Sequence, residues 1–149
     1  MKKFMILLTC ILLFTACSEP TTRDEAVQEA ALNFADAYFN FNFKQAQEYA
    51  TEESGKWLRY VASNVTQADI DSINNHEETA TVTVGWVDWQ SDSTAVVCVK
   101  VSNFAQHDSI GRTVHFYDNG QFLLTVVKRD SKSYVRMEGP LRNERQSRD

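Results

Sequence analysis

The 149-residue sequence predicts an α+β domain in which N-terminal helices pack on a curved antiparallel sheet of four to five strands, after a cleaved signal peptide. Three observations carry this. Apolar residues recur at helical spacing between residues 24 and 64, they alternate with period two from residue 79 onward, and the one uninterrupted apolar run lies at the N-terminus. Helices followed by strands is the order of an α+β fold rather than of alternating βαβ units.

The N-terminal run fixes the first boundary. Met1-Lys2-Lys3 is basic, the stretch from Phe4 to Phe14 is apolar, and Thr15-Ala16-Cys17 is a small-residue exit, which is the layout of an export signal over residues 1–16. The run is shorter than the roughly 20 residues a spanning helix needs. Leu13-Phe14-Thr15-Ala16-Cys17 resembles a bacterial lipobox, with Phe14 where leucine is usual. The resemblance implies that Cys17 becomes the first mature residue, is lipidated on its thiol and amine, and anchors the protein in a membrane. Two or more acyl chains hold stably, at about 0.8 kcal/mol per buried CH₂. Ser18 after the cysteine implies an outer-membrane lipoprotein of the cell envelope, facing the periplasm or the surface. Residues 17–23 then form the lipidated cysteine and a polar tether, residues 24–138 the domain, and residues 139–149 a flexible, Arg-rich tail.

Loss of Lys2 and Lys3 with the signal leaves 13 basic against 20 acidic residues, a net charge of −7. An acidic chain without a basic stripe repels phosphate backbones, so no nucleic-acid partner is expected. Cys98 is left without a mature thiol to pair with and reads as a small buried hydrophobe on a strand. His76, His107 and His115 show no ligand spacing, so no metal and no cofactor is expected.

The elements follow from capping and period. Thr22-Arg23-Asp24-Glu25 has capping-box spacing, and Val27, Ala31, Phe34, Tyr38 and Phe41 form one stripe, predicting a helix from Asp24 to about Asn40. Lys44 to Ala50 predicts a second short helix; Thr51 caps a third, which carries Trp57, Leu58 and Val61 and ends near Asn64. Residues 67–78 read as a polar connection. Ala80, Val82, Val84 and Trp86 then alternate with polar or small residues, Gln90 to Ser93 supplies a turn, and Ala95, Val97, Val99 and Val101 form the inward set of a second strand. Thr113 to Tyr117 is a third strand, closed by a tight turn at Asn119-Gly120; Phe122 to Lys128 and Ser133 to Met137 complete the sheet.

Residues 31–39, 42–51 and 124–135 together resemble the nuclear transport factor 2-like, or cystatin-like, superfamily, and within it small Bacteroidota lipoproteins of unknown function; Tyr134 stands where relatives commonly have tryptophan. The resemblance covers residues 24–138. It implies a cone with a pocket between sheet and helix, used by some members for catalysis and by many for binding. Tyr38, Trp57, Tyr60 and Trp86 are the candidate ligand-binding residues. Asp88 and His115 are the candidates for a catalytic acid or base. Alternation places Asp88 on the face of Trp86, where burial would raise its pKa, whereas its place at the strand end makes a solvated turn-former the plainer reading.

Function is therefore expected to be that of a membrane-anchored, non-catalytic binding or scaffold domain for a small apolar ligand or an envelope protein. The alternatives are a pocket enzyme of isomerase or hydrolase type and a purely structural accessory subunit. A homodimer through the sheet face is a further expectation, since the open face of such a sheet often needs covering.

Overall fold

The computed structural model describes residues 19–109 and 111–144. The signal peptide, Cys17 and residues 145–149 lie outside these. Helix α1 (Glu19–Phe39) lies across the sheet and buries Val27, Ala31, Phe34 and Ala35 completely, four positions of the predicted stripe and its flank. It begins at Glu19, so Thr22 lies within it rather than at its cap; Pro20 fits the first turn, where its missing N–H has no intrahelical acceptor. Phe41, at φ 63°, breaks the helix, and the Asn40 side chain ties its end to the sheet by donating to the carbonyl of Ala80 and accepting from its N–H. At the other end Trp89 Nε1 donates to Asp24 Oδ1 at 2.7 Å, with the Arg23 guanidinium 3.6 Å over the same ring.

Helix α2 (Phe43–Glu48) follows, capped by the Asn42 side chain, and then a 3₁₀ turn (Glu52–Ser54) leads into α3 (Gly55–Ser63). Ser54 is buried under this turn. Its Oγ accepts from Met137 N at 2.8 Å, fastening the helices to the last strand. Residues 67–78 are not merely a connection. Gln67–Asn74 form a helix, α4, because Thr66 and Asp69 make a reciprocal capping box that supplies locally what the weak apolar pattern does not.

Four antiparallel strands, β1 (Thr81–Trp89), β2 (Thr94–Gln106), β3 (His115–Arg129) and β4 (Lys132–Arg136), pair in chain order. Their inner face carries Val97, Val99, Phe122, Leu124, Val126 and Val135 against α1. Two predicted details change. Asn119-Gly120 is no turn: both residues lie within β3, paired with Ser102 and Val101. Gly120 is required there for space, since a Cβ would meet Phe104 Cζ at 2.7 Å and Asn143 Nδ2 at 2.9 Å. In β1 the register shifts between Val84 and Trp86, so that Gly85 is an extra residue and the alternation reverses beyond it. Val87 and Trp89 therefore pack against the core, while Trp86, 49% exposed, and Asp88 face outward.

The predicted flexible tail is packed as far as residue 144. Asn143 is buried, its Oδ1 accepts from Gln121 N, Glu144 N donates to Gln121 O, and Leu141 rests on the core. The backbone groups of β3 that the shorter β4 leaves free are what this segment satisfies.

Candidate functional site

The closing segment forms one wall of a cleft of about 870 Å³ between the helices and the β2–β3 connection. The other walls are Tyr38 near the end of α1, Tyr60, Val61 and Asn64 at the end of α3, Tyr117 of β3, and the run from Gln106 to Ser109 with Gly111, where β2 gives way to its loop. The volume lies within the range of small-molecule sites, roughly 300–1,000 Å³.

Asp69 does not line the cleft but holds one of its lining residues, His107. It is fully buried, and its carboxylate takes four donors: Thr66 N and Thr66 Oγ1 on Oδ2, His107 Nε2 on Oδ2 at 2.9 Å, and Val114 N on Oδ1 at 2.9 Å. Burial pushes the carboxyl pKa upward, but these hydrogen bonds outweigh it and hold the group at about 2. An ionised carboxylate only accepts, so His107 Nε2 carries a proton. No hydrogen bond from a described residue reaches its other nitrogen, Nδ1. The neighbouring Gln106 Oε1 is buried and likewise has no hydrogen-bond partner among the described residues. Across the cleft Tyr117 Oη donates to Asp108 Oδ1. Burial raises the Tyr38 phenol to about 12, with a hydrogen bond donated by the Leu141 backbone pulling the other way, so it stays protonated.

Of the predicted ligand-binding residues, Tyr38 and Tyr60 line this cleft. Trp57 and Trp86 do not. Trp57 packs on the core from α3, and Trp86 stands on the outer sheet face, turned there by the Gly85 register shift. Neither predicted catalytic residue lines the cleft either. Asp88 is exposed on the outer face and accepts from Gln90 Nε2 at 2.8 Å; His115 is exposed, its ring 4.9 Å from that of Tyr117. Asp88 and His115 thus both stand outside this cleft. The residues that sequence reasoning missed are Gln106, His107 and the buried Asp69. Thr66-x-x-Asp69 was the visible signal, a capping box, but nothing local reports that the same carboxylate also holds a histidine 38 residues further on.

No group of three or more His, Cys, Asp and Glu side chains among the described residues is arranged to hold a metal ion. Cys98 is buried between Trp86 and Leu123, and burial pushes its thiol pKa up.

No protein-family model matches the chain, and no curated protein sequence matches it. Among solved structures it is similar to an NTF2-like protein of unknown function from Shewanella oneidensis MR-1, at 12% identity and TM-score 0.51 over 76% of this chain and 93% of that one. It is also similar to an NTF2-like protein involved in plasmid conjugation, at 11% identity and TM-score 0.40 over 80% of this chain and 48% of that one, so the chain spans about half of that protein. What is shared at such identity is the fold: helices on an open four-stranded antiparallel sheet, as in the nuclear transport factor 2-like architecture.

Proposed function

We propose that the chain is an envelope lipoprotein, anchored through Cys17, whose domain binds a small molecule in the cleft between the helices and the β2–β3 connection. The observation that supports binding is the cleft itself, large enough for a small molecule and lined by Tyr38, Tyr60 and Asn64 beside the apolar Val61 and Leu141. The cleft is not all apolar: tyrosines, Gln106 and His107 line it, so the ligand is more polar than the sequence alone implied. The test is native mass spectrometry of the protein purified from its own host. A retained small molecule, lost when Tyr60→Ala is introduced, supports the reading; a bare protein that also fails to bind an apolar dye overturns it. Anchoring is tested separately by alkyne fatty-acid labelling, which Cys17→Ala should abolish.

A second reading, a protein partner or second copy on the outer sheet face, is favoured by Trp86 at 49% and Leu123 at 41% exposure on either side of Cys98. Sedimentation equilibrium at micromolar concentration distinguishes a dimer from a monomer.

A further inference from the structure

Resting on the Cys17 anchor proposed above, we infer that the domain stands end-on at the membrane. Its β1–β2 and β3–β4 turns meet the lipid headgroups, and its cleft is held roughly 30 Å out, where it takes a solute arriving through water rather than a lipid lifted from the leaflet. The observation that carries this is where α1 begins. One residue, Ser18, separates Cys17 from Glu19, the first residue of the helix, so the stretch expected as a tether is mostly helix. Two residue steps span at most about 7 Å, which keeps the start of α1 beside the headgroups.

Hydrogen bonds fix what lies at each end of α1. At its start, Trp89 Nε1 donates to Asp24 Oδ1 and the Arg23 guanidinium donates to Ser91 O, which sets the β1–β2 turn beside the anchored end. Lys128 N donates to Ser93 O and brings the β3–β4 turn to the same end. At its finish, Asn40 bonds both backbone groups of Ala80, and Tyr38 lines the cleft. The 21 residues of the helix span roughly 30 Å. Strand β2 runs the same way, from Thr94 beside the turn to Gln106 in the cleft wall. Neither long side of the domain suits the surface. The exposed flank of α1 carries Glu25, Glu29 and Asp36, which an anionic leaflet repels within a Debye length of about 10 Å. The outer sheet face, with Trp86 and Leu123, lies on the far side of the sheet from α1, a layer spacing of about 10 Å beyond the helix and out of reach of the one-residue link.

The experiment is Förster transfer from single-cysteine labels to an acceptor on the headgroups of phosphatidylethanolamine–phosphatidylglycerol vesicles, using the full lipidated chain with Cys98→Ala removing the buried native thiol. Asp92→Cys and Ser131→Cys mark the two turns, Ser109→Cys the cleft rim and Lys100→Cys the outer sheet face, all at exposed positions. Transfer from both turns should exceed that from the rim about three-fold, as a separation of roughly 30 Å requires, with Lys100 between them. A flexible spacer of about 20 Gly and Ser residues after Ser18, with a reach of about 25 Å, should remove the difference. Vesicles that carry the protein on flotation but give equal transfer from turns and rim, or transfer from Lys100 as high as from the turns, overturn the end-on placement while the anchor stands. A difference that survives the spacer overturns the role of the short link. A phospholipid retained by the native protein overturns the solute assignment. A chain that does not float with the vesicles overturns anchor and placement together.

Discussion

Asp69 shows how one carboxylate can serve a helix, a loop and a cleft together. Its hydrogen bonds close the capping box of α4, hold the β2–β3 connection through Val114 N, and set the proton on His107. Since the folded-state pKa of about 2 lies below the ordinary value of 3.8, the stabilisation is fully present above pH 3.8 and is lost as pH falls through about 2. A shift of this size corresponds to about 2 kcal/mol at neutral pH. Urea unfolding at pH 7, 4 and 2.5 should show stability falling across the two lower values. Asp69→Asn should lower stability by about 2 kcal/mol at pH 7 and flatten the acid limb; an acid limb as steep as that of the parent would contradict this account. The residue was visible in the sequence only in its local role. Period and capping report neighbours three or four positions away, and a contact between residues 69 and 107 leaves no such trace.

Helices and strands were legible where one face is buried and the pattern is long. The α1 stripe and the inward set of β2 appear in the structure as the alternation requires. Legibility failed where one residue changes the phase or where a small residue serves space instead of a turn. Gly85 reversed the facing of Trp86 and Asp88, and Gly120 made room for Phe104 inside β3 while resembling a hairpin. The β3–β4 turn lies where Arg129-Asp130-Ser131-Lys132 predicts it, with Asp130 and Ser131 both at positive φ, 50° and 65°. That is the backbone of a type I′ turn, which matches strand twist but suits glycine better than serine. The left-handed conformation costs a non-glycine residue roughly 1 kcal/mol. Ser131→Gly should therefore raise stability by about 1 kcal/mol, read as a Tm higher by about 3 °C, and Ser131→Val should lower it. An unchanged Tm in the glycine variant would mean that the turn relaxes without strain.

The domain closes on its last described residues. Residues 139–144 complete the edge of β3 and wall the cleft, yet their polar, aperiodic composition reads as a tail. No local signal marks them, because what orders them is a vacancy on another strand: the polar backbone of Gln121 and the space over Gly120. A chain ending at Glu138 should lose about 2–3 kcal/mol, from two hydrogen bonds and the burial of Leu141. Hydrogen exchange should show the Gln121 amide losing protection first, and equal protection in the two chains would argue that the segment only rests on the sheet.

The fold as a whole also has a place where its length is negotiable. Nine residues of β1 serve eight rungs of the ladder with β2, and Gly85 is the surplus link. Without it Val84 and Trp86 would be chain neighbours facing Val99 and Cys98, as neighbouring rungs already do. The strand carries slack: it can be shortened by a link while every later residue keeps both its partner and its side of the sheet.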